Sequence, residues 1–177
     1  DERTDGRHAE VVWTEDWRED AARRDFTINA MSCDADGAVH DYFGGADDLR
    51  AGRVRFVGDA RTRIEEDALR LLRFFRFQAR YGRVPPEPAL LATISGCLGM
   101  IDRLSAERIW SELRRILAGP ALIPTLALMG RAGMLAACLP ALSGRETAAL
   151  SLLRCLPAEE TGDPLPRLPA LIAGPGL

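Results

Sequence analysis

Apolar and polar positions alternate in two different ways along the chain. Up to about residue 57 the apolar runs are short and often interrupted. Residues 9–13 read as a strand, and Thr14 is placed to cap a short helix that starts at Glu15 and Asp16 and reaches about Arg24. Acids at those positions suit a helix N-terminus. Residues 25–31 follow neither period, because Phe26, Ile28 and Met31 fit no single face of a helix or strand. Asp34-Ala-Asp-Gly37 is a turn signal with a returning strand over 38–40, Gly44-Gly45 is a break, and 53–57 is a short strand alternating on Val54 and Phe56. From Thr62 the period becomes helical. Thr62 and Glu65 have capping-box spacing, which predicts one helix from Arg63 to Tyr81, ended by Gly82 and the Pro85-Pro86 pair. Further helices are predicted over 87–98, 106–117 (capped by Ser105), 123–132 and 145–156, with an irregular connection over 157–169. The pattern is an α/β portion followed by an all-helical one.

At 100° per residue the 63–81 helix sorts into two faces. Ala68, Leu71, Leu72, Phe75 and Ala79 share one. Glu66, Arg70, Arg73, Arg76 and Arg80 fall within about 120° on the other, with Asp67 at its edge. Pairs such as Glu66–Arg70 at i,i+4 would stitch a solvated face. Four arginines against one or two acids nevertheless leave surplus positive charge, which self-repels unless an anion binds. Leu69 and Phe77 also lie within this face, so it is expected to be partly covered. Asp67 and Arg70 are candidates for a single recognition unit. A carboxylate only accepts hydrogen bonds and a guanidinium only donates. Together they match an amino group beside an unprotonated ring nitrogen, the pattern of cytosine and adenine. Guanine and uracil reverse it and would leave groups unpaired at roughly 1–3 kcal/mol apiece.

Composition narrows the classes. With 47% hydrophobic residues the 177-residue chain can bury a core, as one domain or two small ones. The net charge is −3, yet all 23 basic residues are arginine. Ten of them lie between Arg50 and Arg83, against only Asp59, Glu65, Glu66 and Asp67. That is a local basic patch in an acidic chain. Cys33, Cys97, Cys138 and Cys155 form no CxxC pair, and with only His8 and His40 no zinc site is expected. Reduced thiols and a cytoplasmic location follow as expectations. The most apolar stretch, 116–130, is too short for a membrane span and carries Pro120 and Pro124. His40 is expected at the surface, and Trp13, Trp17 and Trp110 in core or partly buried packing roles.

Four segments then resemble one family in order and spacing. Arg23-Arg-Asp-Phe-Thr-Ile-Asn-Ala30, Asp41-Tyr-Phe-Gly-Gly45 with Asp47-Asp-Leu49, Glu66-Asp-Ala-Leu-Arg70 continuing to Arg73-Phe-Phe-Arg-Phe77, and Ser105-Ala-Glu-Arg108 with Glu112-Leu113 are similar to motifs of the class II tRNA nucleotidyltransferases, the CCA-adding enzymes and bacterial poly(A) polymerases. Thr4-Asp-Gly-Arg7 resembles a stretch that precedes the first of them. The resemblance spans roughly residues 1–140. It implies an α+β remnant of a nucleotidyltransferase head domain (1–57) followed by an all-α neck (58–120) and a partial body (121–177). It also implies ribose contact by Arg23, Arg24 or Asp25, base reading by Asp67 and Arg70 beside Glu66, and phosphate contacts or ion pairs for Arg73 and Arg76. Asp41, Gly44 and Gly45 would form a hinge, and Ser105 to Leu113 a helix-stabilising element.

The family's DxD pair, which holds two Mg2+ ions, would lie upstream of Asp1, so no metal ligand is expected in this chain. Asp34-Ala-Asp36 spells DxD but sits in the turn. The implied partners are tRNA, CTP and ATP, with poly(A) polymerase as the alternative inside the family. A non-catalytic RNA-binding remnant, or a protein-docking role for the arginine face, are the alternatives outside it. Without the metal-binding segment the 177 residues are expected to add no nucleotide. Detectable CMP or AMP transfer to tRNA by the purified chain would contradict that.

Overall fold

The computed structural model describes residues 16–144. The strand expected over 9–13, Trp13, the helix over 145–156 and the 157–169 connection lie outside them. Asp16 caps the first helix, α1 (Trp17–Ala22), accepting from the backbone N–H groups of Arg18 and Glu19. The ambiguous 25–31 segment is extended at Phe26 and makes one 3-10 turn over Thr27–Asn29. The hairpin is present as β1 (Ser32–Cys33) and β2 (Val39–His40), antiparallel with Ser32 opposite His40.

Four expectations need correcting. Residues 53–57 are no strand of their own: a lone antiparallel bridge joins Phe56 to Phe26, flanked by Thr27 N–H to Arg55 C=O and Val57 N–H to Asp25 C=O, both 3.0 Å. The Gly44-Gly45 break opens a helix, α2 (Gly45–Ala51). Trp17 is 63% exposed rather than packed. The single helix over 63–81 is two, α3 (Ala60–Glu66) and α4 (Arg70–Tyr81), and α3 is capped by Asp59 accepting from Thr62 N–H at 2.8 Å.

The break has a local cause. Asp67 is extended at φ −148°, ψ 107°, and its side chain accepts from Leu69 N–H at 3.0 Å. A short carboxylate thus competes with the helical backbone for a donor. Tighter i to i−3 bonds, Arg70 N–H to Asp67 C=O and Leu71 N–H to Ala68 C=O, then restart the helix.

The remaining helices follow their signals. They are α5 (Pro88–Gly96), α6 (Ala106–Leu117, capped by Ser105), α7 (Leu122–Arg131) and the short α8 (Met134–Cys138), with 3-10 turns over Leu98–Arg103 and Pro140–Leu142. Helix α4 is the centre, packed against α6 and α7. Leu71, Leu72, Phe74, Phe75, Phe77 and Ala79 are all buried, so it is covered nearly all round. One continuous core runs from Phe26, Ile28, Val54 and Phe56 through α4 to Met134 and Leu135. Its aromatic knot places the Phe26 ring 4.8 Å from Phe56 and 4.7 Å from Phe77, with Phe74 stacked on Phe56 at 6.1 Å.

Phe74 is fully buried in that knot. Phe74→Ala is expected to cost about 3–5 kcal/mol of stability, measured by urea unfolding.

Candidate nucleotide site

The segment after α1 is fixed from two directions. Arg23 and Arg24 both pair with Asp20, at 2.8 and 2.9 Å, and remain about half exposed. Asp25 is 5% exposed, and its carboxylate takes Asn29 Nδ2 at 2.7 Å and the Arg73 guanidinium. Burial pushes the Asp25 carboxyl up, and the bonds from Arg73 and Asn29 outweigh it, leaving it below the usual carboxylate range. Burial likewise lowers Arg73, and Asp25 more than restores it.

The α3–α4 break holds the other side. Glu66 Oε2 accepts from Arg63 Nη1 and Arg70 Nη1, each at 2.6 Å. With the remainder of their forks these two arginines reach backbone carbonyls: Arg63 those of Val57 (3.1 Å) and Ala22, Arg70 those of Arg63 (2.8 Å) and Arg23 (3.1 Å). Ala22 and Arg23 end α1, where carbonyls lack helical partners. Burial raises the Glu66 carboxyl, and the two arginines bring it below its ordinary value.

Asp67 faces the opposite helix. Arg108 Nη2 from α6 meets both its oxygens at 3.1 Å. Deeper along α4, Arg76 Nε donates to Glu112 at 2.6 Å; Glu112 is 2% exposed and also accepts from Arg115 at 2.9 Å.

The sequence-derived candidates therefore form one neighbourhood, but not by the expected helical spacing. Asp67 lies in the break, so its relation to Arg70 is set by the turn, by Arg108 and by Glu66. Each partner keeps capacity. A carboxylate offers about four lone-pair sites, of which Arg108 and Leu69 N–H take three. Arg70 has five N–H groups, three of them used within the protein. One acceptor site on Asp67 and two donors on Arg70 remain unpaired among the described residues.

Sequence reasoning gave Arg63 no role and Arg108 only a helix-stabilising one, since the Arg63–Ala22 and Arg108–Asp67 contacts each span 41 residues of chain. It also missed buried Asp48, which accepts from Thr27 Oγ1 (2.6 Å) and Arg55 Nε (2.9 Å). At the hinge candidates, Asp41 accepts N–H bonds from Phe43, Gly45 and Ala46 at 2.9–3.2 Å, and Gly44 has φ +76°. Asp34 is spent on its turn, taking the N–H groups of Asp36 and Ala38 and the ring of exposed His40. No group of three or more His, Cys, Asp or Glu among the described residues could hold a metal. None of their helices is long and apolar enough to cross a membrane.

Because its folded-state carboxyl is depressed, Asp25 contributes stability above its unfolded value near 3.9 and loses it as pH falls through the folded value. Asp25→Asn is expected to cost about 2–3 kcal/mol at pH 7, less than for a fully buried pair because Arg73 keeps some exposure. The gap to wild type should shrink at pH 3 in urea titrations.

Comparison with known proteins places the chain in a family. Residues 1–55 match the poly A polymerase head domain, and residues 85–144 the probable RNA and SrmB-binding site of polymerase A. The mitochondrial CCA tRNA nucleotidyltransferase 1 of Homo sapiens is 51% identical over 122 residues, 66% of this chain and 27% of that protein. The CCA-adding enzyme of Geobacillus stearothermophilus is 36% identical over 136 residues, 77% and 33%. A crystal structure of the Bacillus stearothermophilus CCA-adding enzyme in complex with CTP superposes with a TM-score of 0.71 at 34% identity, over 78% of this chain and 34% of that one. The chain spans less than a third of the length of the first curated relatives it matches. On the two consecutive domain matches, these identities and the shared fold, the chain belongs to the tRNA nucleotidyltransferase and poly(A) polymerase family.

Proposed function

We propose that this chain is the nucleotide-selecting part of a template-independent tRNA nucleotidyltransferase, which adds C and A from CTP and ATP to the tRNA 3′ end. The observation that carries the reading is the free acceptor on Asp67 beside the free donors on Arg70, each side chain pinned by another residue. Preorganised groups of this kind discriminate by leaving the wrong base unpaired. The relatives named as CCA-adding enzymes, one of them solved with CTP and another with tRNA, support the substrate class.

In this reading the RNA 3′-hydroxyl attacks the α-phosphate and pyrophosphate leaves, a reaction governed by positioning and charge. Asp67 and Arg70 orient the base. Arg23 and Arg24, half exposed beside them, contact ribose or phosphate, and Asp25 holds their segment through Arg73. Arg76 supports α4 against α6 through Glu112. Mg2+ would supply charge stabilisation at the transferring phosphate, but the described residues do not form a ligand set for it. Residues 1–57 are read as the later part of a head domain, 58–120 as a neck and 121–177 as the start of a body, with Asp41, Gly44 and Gly45 as the connection that bends. Free thiols at Cys33, Cys97 and Cys138 favour a cytoplasmic location.

Calorimetric titration with the four nucleoside triphosphates tests the assignment. CTP and ATP should bind about tenfold or more tighter than GTP and UTP, corresponding to the 1–3 kcal/mol of an unpaired group. Asp67→Asn, which replaces an acceptor with a mixed amide, should abolish that preference. Equal affinity for all four would overturn the reading; ATP selectivity without CTP binding would favour a poly(A) polymerase.

A further inference from the structure

Charge along α4 is neutralised at its start and not at its end. Arg70 shares Glu66 with Arg63, Arg73 faces Asp25, and Arg76 shares Glu112 with Arg115. Arg80, one turn further, is exposed and has no carboxylate partner among the described residues. Its guanidinium lies 5.7 Å from the ring of Tyr81, itself an exposed aromatic. Seven residues separate Arg80 from Arg73, so the two differ by only about 20° around the helix. The contacts Asp67–Arg108 and Arg76–Glu112 set α4 and α6 side by side and running the same way. Arg115, about one turn past Glu112, therefore lies level with Arg80, and it is half exposed. Three arginines (76, 80 and 115) against the one carboxylate of Glu112 leave a charge of +2 on this stretch.

A row of guanidiniums with surplus positive charge beside an exposed aromatic ring is the arrangement that tracks a single-stranded nucleic acid backbone. Its reach fits a strand better than a nucleotide. Ten residues from Arg70 to Arg80 cover about 15 Å of helix, several times the ~3.4 Å phosphate spacing of a stacked strand. We propose that Arg80 and Arg115 are phosphate contacts for a single RNA strand that leads away from the Asp67–Arg70 pair along the α4–α6 seam. The assignment rests on the nucleotide-selecting function above and adds the path of the polymer that receives the nucleotide. Arginine at both positions gives fixed charge and a planar fork suited to phosphate oxygens.

Fluorescence anisotropy with a short single-stranded RNA and with tRNA lacking its CCA end, repeated over a salt series, tests this. Arg80→Gln and Arg115→Gln should each weaken RNA binding about three- to tenfold, and each should reduce the slope of log K against log salt by about 0.7. CTP affinity should stay within about twofold. Glu112 keeps Arg76 in the second variant, and Arg80→Lys, which retains the charge, should keep the wild-type salt slope; thermal melts identify any variant that has unfolded. Wild-type RNA affinity and slope in both folded glutamine variants would overturn the track while leaving the nucleotide-selecting function standing. Weakened CTP binding with unchanged RNA binding would overturn it in favour of a triphosphate site. A wild-type protein that binds CTP but no RNA would overturn the track as well, and one that binds neither would remove both.

Discussion

The site depends on two guanidinium forks that close over the end of one short helix. Arg63 and Arg70 meet at Glu66 and donate further to the carbonyls of Ala22, Arg23 and Val57. A six-residue helix is too short to hold itself in water, and the open carbonyls at its end would otherwise need solvent. The forks satisfy those carbonyls and fix the approach of the Arg23–Asp25 segment to the α3–α4 break in the same act. Only arginine can do this, because a lysine presents one nitrogen where three separate acceptors must be met.

The rest of the structure reinforces that junction from below. Phe26 and Phe56 carry the early segment into the same core as Phe74 and Phe77, so the early segment and α4 are buried together. Above the aromatic knot, Asp25 and Arg73 form the polar counterpart of that contact. Burying a carboxylate is tolerated here because it is both paired and hydrogen-bonded. On the far side, Arg108 and Glu112 let α6 hold the break and the middle of α4 at two points. Three separate stretches of chain thus converge on one turn of backbone.

Much of this was legible in the sequence where the signal is local. Ser105 as a cap, the apolar face of Leu71, Leu72 and Phe75, and the turn at Asp34–Gly37 all follow from short-range chemistry. The break at Asp67 did not, because the arginines and glutamates before it and the alanine, leucines and arginines after it are good helix formers, and the apolar periodicity runs through it without interruption. Only the side-chain bond from Asp67 to Leu69 N–H and the long-range pull of Arg108 interrupt the helix. The roles of Arg63, Asp48 and Arg55 were hidden for a similar reason: each makes a contact to a segment distant in sequence, Arg63 to Ala22, Asp48 to Thr27 and Arg55 to Phe43. Helix α2 was read as a break since two glycines ordinarily end an element rather than begin one. The solvent-facing Trp17 shows the converse, a large apolar side chain whose placement no periodicity in so short a helix could fix.

Gly45 carries a consequence of its own. A Cβ there would stand 2.1 Å from the Thr27 carbonyl oxygen, so the α2 backbone lies directly against the segment that follows Asp25. Thr27 also donates its hydroxyl to Asp48 of α2, and Arg55 ties Asp48 to the Phe43 carbonyl. Contact this close works as a rivet: the two backbones can turn about it but cannot slide past each other. Any bend at Gly44 would therefore carry α2 and Thr27 together, and widening beside them would come from rotation of the chain before β2 rather than from separation of α2 and the segment that follows Asp25.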